Sequence, residues 1–141
     1  MQSLKIFLVD DDRFCLGLYR QHLHNLGHSI VYTFENAARC IDCLSQAPDI
    51  IFFDHGIDPV SGLVFLKQVK NYNPDIYVII LSGREDAETV LKSLQCGAFD
   101  YIVKGENEVQ SITKTLEQII EIKMQLNSAG NNFIRKILLT L

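Results

Sequence analysis

The chain has 141 residues, a formal net charge of −4 at pH 7, 48% hydrophobic residues and 21% charged residues. Its length suffices for one domain with a real core, and its composition is typical of a globular protein. The negative net charge argues against a nucleic-acid-binding surface, and no apolar run reaches the ~18 residues that a membrane span requires. We therefore expect neither nucleic acid nor a membrane among its direct partners.

The first residues lack the charged and apolar regions of a signal peptide, so we expect a cytoplasmic location. In that compartment the four cysteines are expected to be free thiols. Cys40 and Cys43 match a C-x-x-C pattern, but they fall inside a predicted helix, and no second ligand pair lies at zinc spacing. We interpret them as packing residues.

Apolar segments and helical patterns alternate along the chain. Strands are predicted at 5–9, 29–33, 50–53, 76–81 and 99–103, and helices at 12–26, 36–45, 61–72, 85–96 and from 106 onward. Strict alternation of five strands and five helices predicts an α/β fold, a doubly wound parallel sheet with helices on both faces. We expect the flavodoxin-like strand order 2-1-3-4-5.

Three consecutive aspartates, Asp10, Asp11 and Asp12, follow the first predicted strand directly. Carboxylates at this spacing repel one another, and partial burial strengthens the repulsion. A hard divalent cation such as Mg²⁺ would neutralise them. Alternatively, the triple is a solvated acidic turn in which Asp12 caps the next helix. These residues alone leave both interpretations open.

Other polar residues follow the remaining strands, Asp54 after the third, Ser82 after the fourth and Lys104 after the fifth. Ligands of such folds bind at the carboxyl ends of the strands, so these side chains are expected to converge with Asp10 and Asp11. Carboxylates suit Mg²⁺, whereas a hydroxyl and an ammonium group suit phosphoryl oxygens. Asp54 is the carboxylate placed to act as a nucleophile and form an acyl phosphate.

The arrangement of these motifs resembles the receiver domain of bacterial two-component response regulators. Each motif is weak alone, but their common order at the strand ends is specific. The resemblance covers residues 4–126, so we predict a receiver domain at residues 1–126. Residues 127–141 would be either an extra helix or a linker into an output domain absent from this chain. The matching residues are Val9-Asp10-Asp11, Asp54 with Gly62 eight residues later, Leu81-Ser82-Gly83, and Tyr101-Ile102-Val103-Lys104.

The resemblance implies that Asp54 is the phosphoacceptor of a signalling switch that is not a metabolic enzyme. Asp11, Asp54 and the backbone carbonyl of Gly56 would bind Mg²⁺ directly, and Asp10 would act mostly through a metal-bound water. The phosphoryl donor would be a phosphohistidine on a sensor histidine kinase or phosphotransfer protein, or a small phosphodonor. A partner or output surface would respond to the modification.

The resemblance also implies roles around the phosphoryl group. Ser82 would bond to it and move on activation, Lys104 would pair with it, and Tyr101 would be the aromatic switch residue. Gly56 and Arg84 occupy positions that tune the lifetime of the phosphoryl group. Taken singly, Ser82 could instead open a capping box, Lys104 could be a surface lysine, and Tyr101 could be ordinary strand packing.

The chain departs from the family pattern at two places. Gly105 replaces the proline that usually follows the lysine, so we expect a trans peptide bond here. In the loop after the acceptor, Asp58 holds the usual proline position and Pro59 comes one residue late. These departures support an alternative function, a degenerate pseudo-receiver that binds partners without phosphorylation.

A third hypothesis is an aspartyl-phosphate hydrolase of the haloacid dehalogenase type. Asp10 and Asp12 fit the start of its D-x-D-x-[T/V] motif, but Arg13 and Phe14 follow, and its other motifs are missing. Fold analogy alone does not establish such an activity.

The C-terminal region carries an apolar stripe on a helix that is longer than the sheet requires. Residues 127–132 are predicted to break this helix, and residues 133–139 begin another amphipathic helix. The segment would be an extra helix packed on the domain, a linker, or a homodimer contact. The helices at the sheet edges are the other candidates for a homodimer contact. The stripe comprises Ile112, Leu116, Ile119, Ile120 and Leu126.

Overall fold

The computed structural model describes residues 3–54, 59–83, 86–105 and 107–140, without the side chains of residues 59–61. Within these ranges the strands are β1 (Lys5–Val9), β2 (Ile30–Phe34), β3 (Ile50–Asp54), β4 (Tyr77–Ser82) and β5 (Asp100–Val103). The helices are α1 (Arg13–Asn25), α2 (Ala37–Asp42), α3 (Pro59–Tyr72), α4 (Ala87–Gln95) and α5 (Glu108–Thr140), and a short 3-10 helix follows α2 at Leu44–Gln46.

The strands form one parallel sheet in the order β2-β1-β3-β4-β5, which confirms the predicted flavodoxin-like fold. Parallel strands bring their carboxyl ends to one edge, which we call the carboxyl edge. The residues that follow β1, β3, β4 and β5 therefore lie at this edge. The last paired residues of neighbouring strands at this edge are Val9 with Phe53, Asp54 with Leu81, and Ser82 with Val103.

Both faces of the central strands are buried, as their uninterrupted apolar sequences predict. On one face, strand residues pack with Phe65, Leu66 and Val69 of α3 and with Cys40 of α2. The other face carries the alternate residues of the same strands, and α1 packs over β1 and β2. The strand residues of the first face are Phe7, Val9, Ile51, Phe53, Val78 and Ile80.

Local capping residues decide where α1 and α4 begin. Asp12 is the N-cap of α1, and its carboxylate accepts hydrogen bonds from the backbone N–H groups of Phe14 and Cys15. Asp86 is the N-cap of α4 and accepts from the N–H of Thr89 at 3.0 Å. Ser82 instead ends β4, so the capping-box interpretation of that serine is wrong.

Three helices differ from the sequence expectation. α2 ends at Asp42, three residues before the predicted end, and the 3-10 helix follows it. α3 begins at Pro59, two residues before the predicted start, since proline is favoured at the first helical position, where its missing N–H costs nothing. α5 continues through residues 127–132, so the predicted break there is wrong. Asn, Ser and Gly each weaken a helix by less than ~1 kcal/mol relative to Ala, and none removes a backbone donor as proline does.

The chain divides into two compact units, Met1–Val109 and Gln110–Leu141. The first contains the sheet, and the second consists of nearly all of α5. The buried side chains of this second unit include Ile112, Leu116 and Ile119. None of the described helices combines the length and the apolar character needed to cross a bilayer.

Candidate functional site

An ammonium group joins two carboxylates at the carboxyl edge. Lys104 follows β5, and its Nζ donates hydrogen bonds to Oδ2 of Asp10 and to Oδ2 of Asp54, each at 2.8 Å. These partners are 94 and 50 residues away in the sequence. The sheet therefore brings together the residues that follow β1 and β5 and the last residue of β3.

These charges are largely enclosed. The side chains of Asp10, Asp54 and Lys104 are 3%, 11% and 21% exposed. Burial raises the pKa of Asp10 above the ordinary value, although the hydrogen bonds from Lys104 and from the backbone N–H of Asp12 oppose this shift. Burial lowers the pKa of Lys104, but its hydrogen bonds to the two carboxylates outweigh that effect, so its pKa is raised overall. Lys104 is therefore a cation at neutral pH.

A third carboxylate completes an oxygen-rich cluster. Asp10, Asp11 and Asp54 each offer an oxygen atom, and these three atoms lie within 4.8 Å of one another. Asp10 is buried, Asp54 is half-buried and Asp11 is exposed, so one side of the cluster is open to water. Hard carboxylate oxygens with access to water are the donors that Mg²⁺ prefers, and the residues present fit this ion.

Both interpretations of the aspartate triple apply, but to different residues. Asp12 is the helix cap, and hydrogen bonds from the backbone N–H groups of Cys15 and Phe14 lower the pKa of its carboxyl group. Asp10 and Asp11 belong to the charged cluster. The N–H of Asp12 donates to Oδ1 of Asp10 at 2.9 Å, which connects the cap to the cluster.

The backbone of β4 holds Lys104 in place. The N–H of Lys104 donates to the carbonyl oxygen of Ser82 at 2.7 Å. The Lys104–Gly105 peptide bond is trans, as expected. Glycine at this position is therefore compatible with the approach of the ammonium group to Asp10 and Asp54.

The two predicted switch residues lie near the same edge but in different environments. Ser82 is the last residue of β4 and is fully buried. Tyr101 pairs with Ile80 in the sheet, is half-buried, and packs against the core cluster that includes Phe53 and Phe65. Tyr101 is thus part of the packing beside the carboxyl edge. Gly56 and Arg84, predicted to tune phosphoryl lifetime, lie outside the described residues.

Sequence reasoning missed Cys15 and Tyr19, which lie beside Lys104, and Glu108, which pairs with Tyr19. The Nζ atom is 4.0 Å from Sγ of Cys15 and 6.0 Å from the centroid of the Tyr19 ring. The Tyr19 hydroxyl donates a hydrogen bond to the Glu108 carboxylate. Burial raises the pKa of Tyr19, and this hydrogen bond raises it further. The helical spacing of Leu16, Tyr19 and Leu23 was the available signal that Tyr19 lies on the inner face of α1. All three residues are buried.

Comparison with known proteins agrees with this geometry. The family model of the response regulator receiver domain matches residues 6–125. The chain belongs to this family. The DNA-binding transcriptional regulator NtrC of Escherichia coli K12 is 34% identical over 74% of this chain. The chain covers 22% of the length of that protein, so it spans about a fifth of this relative.

Receiver domains of other proteins align over most of their own length. The chemotaxis protein CheY of Bacillus subtilis is 28% identical over 79% of this chain and 97% of its own. The BeF3-activated receiver domain of DrrB, a Thermotoga maritima protein, superposes with a TM-score of 0.75 at 28% identity, covering 85% of this chain and 99% of that one. The chain is therefore a response regulator receiver domain, and membership of this family does not favour the pseudo-receiver alternative.

Proposed function

We propose that this receiver domain accepts a phosphoryl group on Asp54 in the presence of Mg²⁺. The observation that carries the proposal is the pairing of Lys104 with both Asp10 and Asp54 at 2.8 Å, beside the third carboxylate of Asp11. The family uses this acidic site with Mg²⁺, which supports the assignment of the cation.

Asp54 is the best placed nucleophile among the three carboxylates. It ends β3 at the carboxyl edge, and its side chain is less enclosed than that of Asp10. A carboxylate oxygen of Asp54 would attack the phosphorus atom of a phosphohistidine. The new O–P bond would form as the P–N bond breaks, and the electron pair of that bond would return to the histidine ring.

Lys104 would stabilise charge on the phosphoryl group. Its ammonium group already contacts Asp54, and a phosphoryl group bound there would place its oxygens next to the same cation. Asp11, Asp54 and, as the family resemblance suggests, the carbonyl of Gly56 would hold Mg²⁺ directly, and Asp10 would act mostly through a water molecule. The bound ion would supply further positive charge to the phosphoryl oxygens.

The switch residues are part of the same proposal. Ser82 would bond to a phosphoryl oxygen, and the half-buried Tyr101 would change its packing when Ser82 moves. Tyr101 packs against the buried cluster that includes the side chains of α3. A movement of Ser82 that shifts Tyr101 would therefore alter the packing of α3. Gly56 and Arg84 would set how fast water removes the phosphoryl group.

The phosphoryl donor would be a sensor histidine kinase or a phosphotransfer protein. Phe14 and Leu18 on α1 are 77% and 44% exposed, and Phe14 lies two residues after the Asp12 cap. An apolar surface so close to the acidic cluster offers a place for the donor to dock. A cytoplasmic location and a signalling role without metabolic turnover remain part of this proposal.

The test is the intact mass of the protein after incubation with Mg²⁺ and acetyl phosphate. We expect an adduct of about 80 Da, one phosphoryl group, that is labile to hydroxylamine and absent from Asp54→Asn. Asp42→Asn is the matched control, since Asp42 is an exposed aspartate at the end of α2, remote in sequence from the cluster. It should be modified as fully as the wild type.

Three results would contradict the proposal. An adduct that persists in Asp54→Asn would place the acceptor elsewhere. The pseudo-receiver would be favoured if neither acetyl phosphate nor a kinase donor gave an adduct and the protein did not bind Mg²⁺. Steady release of phosphate from phosphate esters would instead indicate a hydrolase.

A further inference from the structure

Three arginine side chains line a groove beside the end of β2. The groove has a volume of about 910 Å³, and residues of α1, of α2 and of the turn between β2 and α2 line it. Pockets of roughly 300–1,000 Å³ are typical of small organic ligands. We call this feature the arginine groove, and its basic residues are Arg13, Arg20 and Arg39.

The fold places these arginines on both sides of β2. Arg13 and Arg20 belong to α1, which packs over one face of the sheet. Arg39 belongs to α2, whose Cys40 packs on the other face. Because β2 is the edge strand, its last residue, Phe34, lies between the two helices. Guanidinium groups therefore line the groove from two sides.

Two of the three guanidinium groups have no partner among the described residues. Neither Arg20 nor Arg39 uses its side chain for a hydrogen bond or an ion pair there. Arg13 pairs with Glu35 at 2.6 Å, but these side chains are 84% and 52% exposed, and such surface pairs contribute little to stability. The groove therefore offers positive groups that an anionic ligand can pair with.

A glycine in the middle of α1 keeps the groove open. Gly17 lines the groove, four residues after Arg13 and three before Arg20, so the three lie on one face of the helix. Glycine weakens a helix interior relative to alanine. Apart from the adjacent residues and the helix backbone, no described heavy atom lies within 4 Å of the position of a Cβ at Gly17. Internal packing therefore does not require this glycine, whereas a larger side chain would fill the groove.

An aromatic ring also lines the groove. Phe34 is half-buried, and its ring packs against Phe7 with the ring centroids 4.8 Å apart. Nucleobases stack on aromatic side chains whatever their sequence, because every base has a π-face. The ring therefore suits a ligand that carries a planar base.

Two carboxylates make the groove unsuitable for a simple anion. Glu35 and Asp42 line it together with the arginines, and carboxylates repel phosphate oxygens. They accept hydrogen bonds from hydroxyl groups, such as those of a ribose. A ligand that combines phosphate groups with a sugar therefore suits this lining better than inorganic phosphate does.

We propose that the arginine groove binds a nucleoside diphosphate. Arg20 and Arg39 would pair with the two phosphate groups, Phe34 would stack on the base, and Asp42 would accept from the ribose. The acidic cluster and Lys104 do not line the groove. The proposal therefore does not rest on phosphorylation of Asp54, and either proposal can fail without the other.

The test is calorimetric titration of the full chain with ADP and with GDP, in buffer that contains EDTA. EDTA removes Mg²⁺, through which a nucleotide could otherwise bind the carboxylates of the acidic cluster. We expect one nucleotide per chain, with a Kd on the order of 100 µM. Inorganic phosphate and adenosine each carry only part of the ligand, so each should bind at least about tenfold more weakly.

Arginine variants test the charged contacts. Arg20→Gln and Arg39→Gln should each weaken ADP binding by about tenfold or more, because each removes charge-assisted hydrogen bonds to phosphate. Arg135→Gln is the matched control, since Arg135 is an exposed arginine of α5 that does not line the groove. It should bind ADP as the wild type does.

Gly17→Leu tests the groove without changing any charge. Leucine favours a helix more than glycine does, so this variant should fold at least as stably as the wild type. Its side chain should nevertheless weaken ADP binding by about tenfold or more, because it occupies the space of the ligand. The thermal unfolding midpoint of each variant will show that a loss of binding is not a loss of folding.

Four outcomes would overturn the proposal. Absence of binding by both nucleotides at about 1 mM would show that the groove is not a nucleotide site. Inorganic phosphate that binds as tightly as ADP would reduce the groove to an unspecific anion site. Undiminished binding in Gly17→Leu and in both groove variants would place the nucleotide elsewhere. Equal weakening by Arg135→Gln would assign binding to the overall charge of the protein.

Discussion

Asp10 and Lys104 are charged groups that the fold encloses, whereas Leu126 and Phe133 are apolar groups that it leaves exposed. At the carboxyl edge, each buried charge has an opposite charge 2.8 Å away. In the second half of α5, the large apolar side chains between residues 122 and 139 are exposed. Enclosed charges require partners within the fold, whereas exposed apolar side chains are tolerated in water and mark interaction surfaces only where they cluster.

The same substitution should therefore have very different effects in the two regions. Phe65 is 1% exposed and stacks on Phe53 with ring centroids 4.0 Å apart, whereas Phe133 is 64% exposed. Phe65→Ala should lower the free energy of unfolding by about 3–5 kcal/mol, because it removes packing and leaves a cavity. Phe133→Ala should change it by less than ~0.5 kcal/mol in dilute protein.

Urea denaturation of both variants measures this difference. Equal losses of stability in the two variants would mean that the second half of α5 is as tightly packed as the core. The proposed difference between the two regions would then be wrong.

A second prediction concerns the cation at the carboxyl edge. Lys104→Met should slow phosphorylation by acetyl phosphate about 100-fold, equivalent to ~2.7 kcal/mol of transition-state stabilisation. The same variant should bind Mg²⁺ more tightly in the absence of phosphodonor, because the ammonium group no longer competes for the oxygens of Asp10 and Asp54.

Calorimetric titration with Mg²⁺ and a time course of intact mass would separate these two effects. Lys92→Met is the control, because Lys92 is exposed and pairs with Glu88 on α4 at 2.9 Å. A Lys104 variant with unchanged Mg²⁺ affinity would show that its ion pairs do not compete with the metal.

Two glycines provide a smaller contrast. Gly27, after α1, has a φ of 96°, which side chains rarely adopt, whereas Gly130 lies within α5 with open space where a Cβ would be. Gly27→Ala should destabilise the protein by about 1–2 kcal/mol. Gly130→Ala should strengthen the helix by about 1 kcal/mol and raise its helix content.

Far-UV circular dichroism and urea denaturation would test the pair. A loss of helix content in Gly130→Ala would indicate that α5 is not a regular helix at this point, against the structure.

The smallest expected effect is a dependence of stability on pH. Burial lowers the pKa of His28 in the folded chain, so the unfolded chain binds more protons once the pH falls below about 6.5. Stability should therefore decrease as the pH falls through this range, by an amount on the order of 1 kcal/mol or less. His28→Gln should reduce this loss.

Thermal unfolding at about pH 7.5 and about pH 5.5 measures the effect, because these values bracket the titration of histidine. His24→Gln is the control, since His24 is exposed in the last turn of α1, four residues before His28. A loss of stability that is identical in wild type and His28→Gln would assign the pH dependence to other groups.

Much of the fold follows from local patterns. Four consecutive apolar residues at Ile50–Phe53 indicate a strand buried on both faces, and alternation with helices requires parallel pairing with crossovers of one hand. Parallel pairing then places Asp10, Asp54 and Lys104 at one edge, whatever the details of their contacts. These features are predictable because periodicity and chirality act over short stretches of chain.

Other features depend on distant parts of the chain. The contact between Lys104 and Asp10 joins residues that are 94 positions apart, and Tyr19 meets Glu108 across 89 positions. No pattern in either segment encodes such a distance, because it depends on strand register and on the position of α1. The uninterrupted course of α5 through Asn131 is a different case, since residues 127–132 are exposed and their weak local propensities are too small to end a helix.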